Sequence, residues 1–117
     1  GAALASVDAP PDAAGTLQVD VVTIDELVEH HGLKPPAVVK IDVEGAEFEV
    51  LEGMEATAKR HRPVIVVEVD AAEAESLRHK QAACEQWLRS CGYQVKELPD
   101  SYPGIRWLVR HIVAKPT

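Results

Sequence analysis

The sequence predicts an α/β layered domain, with buried parallel strands followed by an antiparallel strand pair at the carboxyl end. Three observations predict it. Two short apolar runs, Ala37–Val43 and Val64–Val69, each lead into a segment of helical periodicity, the pattern of strand–crossover–strand units. Pro35, Pro36 and Pro63 stand ahead of those runs, and Gly32 and Gly92 follow helical segments, so stop signals fall where elements must end. The stretch from Tyr93 to Ala114 reads as two strands around a Pro- and Asp-containing turn. The resulting order is β-α-β-α-β-α-β-β.

Residues 1–15 are rich in Ala, Pro, Gly and Asp without periodicity, which reads as a flexible tail or linker. Leu17, Val19 and Val21 alternate with polar neighbours as in a half-exposed strand. Thr23 and Glu26 form a Thr-x-x-Glu capping box for a short helix that Gly32 closes. The apolar run at 37–43 ends in Asp42 and Glu44, and Gly45 turns the chain into a helix expected over 45–60. At 100° per residue, Ala46, Val50, Leu51, Met54 and Ala58 share a stripe of about 140°, and Glu47 lies in the middle of it. An acid there must be moved aside, paired or used. The second run, Val64–Val69, carries Glu68 and leads to Asp70. A helix over about 73–91 then places Leu77, Cys84, Trp87, Leu88 and Cys91 on one face, with Gly92 as a left-handed cap. Strands over about 93–98 and 105–114 complete the chain.

At 117 residues the chain can bury about two-thirds of its unfolded surface as one domain. A net charge of −7 argues against a nucleic-acid or anionic-membrane surface. No apolar stretch approaches the ~18 residues of a membrane span, and the first residues lack the form of a signal peptide. Cys84 and Cys91 are seven apart on one helix, roughly 10 Å between Cα atoms, beyond disulfide reach. As buried thiols they suit a reducing cytoplasm. None of the five histidines shows metal-ligand spacing, and His111 sits mid-strand with no assignable role. Trp87 and Trp107 read as core residues.

Several segments together resemble one family. Thr23-Ile24-Asp25-Glu26-Leu27, Val39-Lys40-Ile41-Asp42-Val43-Glu44-Gly45-Ala46-Glu47, Val50-Leu51-Glu52-Gly53 and the Pro63–Val69 strand resemble the FkbM-type family of S-adenosylmethionine-dependent methyltransferases, over about residues 16–114. The resemblance implies a class I methyltransferase sheet, Rossmann-like, with helices on both faces and a carboxyl-terminal antiparallel hairpin. It also implies S-adenosylmethionine as cofactor and a hydroxyl on a small molecule or glycan as acceptor. The family's first half supplies a glycine-rich turn and a ribose-binding acid, as in dinucleotide folds. The seven glycines here never form Gly-x-Gly, so residues 16–117 are expected to be the carboxyl-terminal portion of such a domain, weak alone in cofactor binding.

Methylating a hydroxyl requires removing its proton as it attacks, and an ordinary carboxylate is a weak base for that. Carboxylates crowded together raise one another's pKa; alternatively, several oxygens can hold Mg²⁺, which acidifies a bound hydroxyl. Asp42, Glu44 and Glu68 are the candidate catalytic residues, with Asp70 beside them, because the ends of neighbouring parallel strands share one edge. Each has a plain alternative: Asp42 can accept turn N–H groups, Glu44 can be a solvated loop acid, and Glu68 can behave as Asp42 does. Glu47 can serve the helix terminus or a buried hydrogen bond, and Lys40 in a buried strand calls for a carboxylate partner. The rival reading is an inert α/β module that uses its acidic edge for divalent ions or a partner. An exposed sheet edge also suggests homo-oligomerisation.

Overall fold

The structure, a computed structural model, describes residues 15–99 and 108–117 together with the backbone of Ala3–Leu4. Strand β1 (Ala3–Leu4) pairs antiparallel with β2 (Asp20–Val21). Helix α1 (Ile24–His30) follows, then β3 (Val38–Ile41), α2 (Glu47–Glu52), α3 (Glu55–His61), β4 (Val64–Asp70), α4 (Ala74–Ser90), β5 (Tyr93–Glu97) and β6 (Val109–Pro116). The main sheet has the order β3-β4-β6-β5. β3 and β4 are parallel, and β6 runs antiparallel to both of its neighbours.

This topology decides where the helices lie. The crossovers β3–α2–α3–β4 and β4–α4–β5 both step the same way across the sheet. Crossovers of that kind are almost invariably right-handed, so two that advance in the same direction cover the same face. The burial pattern agrees. Val39, Ile41, Ile65, Val67, Val69, Ile112 and Ala114 are buried against Leu51, Met54, Ala58, Leu77, Cys84 and Leu88. The intervening Val38, Lys40, Val66, Glu68, His111 and Val113 stay partly or fully exposed, with Val38 60% exposed. The expectation of helices on both faces is corrected: among the described residues the helices that pack on the sheet lie on one face.

Two expected elements differ in extent. The strand expected at 17–21 is confined to Asp20–Val21, because Leu17 (86% exposed) and Val19 (57%) have no surface to pack on. The helix expected over 45–60 is two helices, interrupted at Gly53–Met54. The interruption is held from outside. Asp25 donates its backbone N–H to the Gly53 carbonyl (3.0 Å), and its carboxylate accepts from the N–H groups of Ala56 (3.0 Å) and Thr57 (2.8 Å) and from the Thr57 hydroxyl (2.6 Å). α3 has no side-chain cap of its own, so a residue of α1 performs that task across space. A Cβ at Gly53 would meet Thr23 Cγ2 at 3.0 Å, so a larger residue there would require Thr23 to give way.

The capping hydroxyl of Thr23 accepts from the Glu26 N–H, and Gly32 (φ +69°) and Gly92 (φ +83°) close α1 and α4 in left-handed geometry, as expected. Arg62 completes the end of α4. Its guanidinium donates to the carbonyls of Cys91 and Gly92, each at 2.6 Å, and lies 4.8 Å over the Tyr93 ring. Cys84 and Cys91 are buried free thiols. Trp87 packs against the core, while Trp107, the first part of the expected last strand and most of the Pro99–Gly104 turn lie outside the described residues.

Candidate functional site

β3 ends at Ile41 and delivers Asp42 to the carboxyl edge of the sheet. The turn that follows needs unusual backbone angles, φ +39° at Glu44 and φ +110° at Gly45. The second of these suits glycine, which lacks the Cβ that makes such a conformation strained. Glu47, only 2% exposed, secures the turn: its Oε1 accepts from the N–H of Gly45 (3.1 Å) and, more loosely, from that of Asp70 (3.4 Å). One buried carboxylate thus ties the turn after β3 to the end of β4. The acid on the inward stripe is explained by this hydrogen bonding, and it acts by positioning its neighbours.

The candidate acids fall into two adjoining groups. Ile41 pairs with Val67, so the next step of the register sets Asp42 beside Glu68 on the face without helices. Their carboxyl groups share a hydrogen bond, and this, with burial and the charge of Asp42, raises the pKa of Glu68. His111 and Lys40 pull in the opposite direction. Glu44 is separated from this pair. It lines a cleft of about 450 Å³ with Gly45, Asp70, Ala71, Lys80 and Val109. The Asp70 carboxyl is raised chiefly by burial and then by Glu47, while Lys80 donates to the Asp70 backbone carbonyl at 3.1 Å. Of the three candidate acids expected to share one pocket, Glu44 lines this cleft, and Asp42 and Glu68 are not among its lining residues.

Lys40 is exposed beside Glu68 on the face without helices, so the burial that called for a dedicated partner does not arise. The sequence reading missed His111, which stands opposite Glu68 in the β4–β6 register with Nε2 3.6 Å from Glu68 Oε1. Alternation with Ile112 and Ala114 was the available signal that His111 faces away from the core; its partner depends on register. Lys80 was missed as well. Among the described residues no group of three or more His, Cys, Asp or Glu side chains is arranged to hold a metal ion. No described helix is long and apolar enough to cross a membrane.

These features can be set beside known proteins. A family model described as the methyltransferase FkbM domain matches residues 3–95. The chain belongs to that family. Among curated proteins, the hexuronic acid methyltransferase AglP of Haloferax volcanii is 42% identical over 57 residues, covering 49% of this chain and 23% of that protein. The match thus spans less than a quarter of the relative's length. No solved structure matches the chain. The family match includes β3, β4 and the turn at Gly45 but ends before β6, so Asp42, Glu44 and Glu68 lie inside it and His111 lies beyond it.

Proposed function

We propose that this chain is the acceptor-side portion of an S-adenosylmethionine-dependent O-methyltransferase acting on a hydroxyl of a small molecule or saccharide. The observation that carries this reading is the Asp42–Glu68 pair. Two parallel strands bring the carboxyl groups into hydrogen-bonding contact at the edge where open α/β sheets bind ligands, and Glu68 holds its proton more tightly as a result. A carboxyl with a raised pKa is a better proton acceptor for a hydroxyl than an ordinary one. The neighbouring cleft, with Glu44, Asp70 and Lys80 around apolar Ala71 and Val109, offers both hydrogen-bond acceptors and an ammonium to a polyhydroxy ring. The AglP relative, named for action on a hexuronic acid, supports a saccharide acceptor.

The seven glycines of the chain form no Gly-x-Gly turn, which supports reading it as a portion short of the cofactor-binding loop. Calorimetry on this chain alone should accordingly show weak S-adenosylmethionine binding. β3 is an edge strand of the main sheet, which supports homo-oligomerisation through that edge, testable by sedimentation. The two buried free thiols suit the cytoplasm. The deciding experiment is methyl transfer by the whole protein to uronate-containing saccharides, with and without Asp42→Ala. An alkali-stable methyl ether whose formation falls at least about 10²-fold in the variant is expected. An alkali-labile methyl ester would mean a carboxylate acceptor, and unchanged activity would remove the assignment of Asp42.

A further inference from the structure

Asp42, Glu68 and His111 form a row across three adjacent strands. The register places Asp42 one step beyond the Ile41–Val67 pair, beside Glu68, and Glu68 directly opposite His111. Side chains of one cross-strand row project from the same face. That face carries no packed helix among the described residues, and the side chains of His111 and Glu68 remain 30% and 25% exposed. The imidazole is held, yet reachable from outside the sheet. Among the described residues, Lys40 from β3 acts on the same Glu68 carboxyl, and Lys96 of β5, opposite Val113, lies on the same face. On the far side the neighbour of His111 is Leu98, whose N–H donates to the His111 carbonyl at 2.8 Å.

We propose that His111 is the catalytic base that takes the proton of the acceptor hydroxyl, with Glu68 as its positioning residue and Asp42 supporting Glu68. The inference rests on the O-methyltransferase reading and gives the proton to His111 in place of the Glu68 carboxyl. Imidazole is the side chain most often used as a general base. Glu68 Oε1 lies 3.6 Å from Nε2 of the ring, so the proposal puts the proton of the neutral imidazole on Nε2, facing the carboxylate, and the lone pair on Nδ1. The acceptor O–H bond breaks, its electron pair stays on oxygen, and the proton forms an N–H bond at Nδ1, giving an imidazolium that faces the Glu68–Asp42 pair. Proton release to water restores the neutral ring. Asp42 stands on the other side of Glu68 in the row and acts on the same carboxyl. His111 lies past the segment that the family model matches, so the assignment comes from the register of this fold.

The test uses His111→Ala, His111→Gln and Glu68→Gln in the whole protein. His111→Ala should lower kcat by about 10²–10⁴-fold with little change in KM, and free imidazole in the buffer should restore part of the rate. His111→Gln, which preserves bulk and polarity, should be equally slow and should melt at the temperature of the unaltered protein. ¹⁵N spectra of the His111 ring above neutral pH should show the Nε2–H tautomer, replaced by a mixture in Glu68→Gln. Full activity in His111→Gln, a rate loss that imidazole does not relieve, or an Nδ1–H tautomer in the unaltered protein would each overturn the proposal. Hydroxyl methylation that survives His111→Ala sinks this inference alone, whereas no hydroxyl methylation by the unaltered protein sinks the reading beneath it.

Discussion

Asp25 carries the largest stability consequence that the structure assigns to a half-exposed residue. Its carboxylate accepts three hydrogen bonds, from Ala56 N, Thr57 N and Thr57 Oγ1, at 3.0, 2.8 and 2.6 Å. In Asp25→Ala, α3 loses the side chain that caps it among the described residues, a loss that ordinarily amounts to about 0.5–2 kcal/mol. Thr57 is 2% exposed, so water does not replace the missing partner of its hydroxyl. An unsatisfied buried hydroxyl adds about 1–3 kcal/mol. Together these come to about 1.5–5 kcal/mol, to be read from urea unfolding with an unchanged denaturant slope. A double-mutant cycle sharpens the test. Thr57→Val removes the orphaned hydroxyl, so Asp25→Ala should be milder in that background by about 1–2 kcal/mol. Asp25→Asn, which keeps one oxygen acceptor, should fall between. A loss below about 0.5 kcal/mol in Asp25→Ala, or strict additivity with Thr57→Val, would refute the idea that α1 caps α3 across space.

Three further outcomes follow from the same geometry. Glu47→Ala should destabilise by about 3 kcal/mol, because two N–H groups lose a buried carboxylate, while Glu47→Gln should recover much of that; equal losses in the two variants would contradict the bridging role. Glu68 has a folded-state pKa above its unfolded value, so its contribution to stability is fully present below about pH 4 and is lost as pH rises through the folded value. Asp42→Ala removes the first cause of that shift, and the variant should lose less stability than the unaltered protein between about pH 4 and pH 7 in urea titrations; a steeper loss would contradict the pairing. Burial, with the charge of Glu47 next, pushes the Cys84 thiol up to about 11. Cys84 should therefore resist alkylation in the folded protein near pH 8 and react after unfolding, as mass spectrometry would count.

Much of this was legible in the chain because the signals are local. The Thr23 cap, the left-handed glycines at 32, 45 and 92, and the alternation of Val64–Asp70 each express a rule that acts within a few residues. The break at Gly53–Met54 was hidden because Val50, Leu51, Met54 and Ala58 keep helical spacing through it. The chain restarts its helix only because Thr23 packs on Gly53 and Asp25 reaches Ala56 and Thr57, contacts separated by about thirty residues.

By itself the sequence determined which residues would be strand, turn and helix around Gly45, that acids would crowd the ends of two neighbouring parallel strands, and the family. Periodicity and capping are properties of adjacent residues, so no tertiary knowledge was needed. The tertiary structure alone decided that the packed helices share one face, that Glu47 holds the turn while Glu44 lines the cleft beside Asp70, and that His111 meets Glu68. Those outcomes depend on strand order and register, and a shift of one residue would have sent His111 to the opposite face.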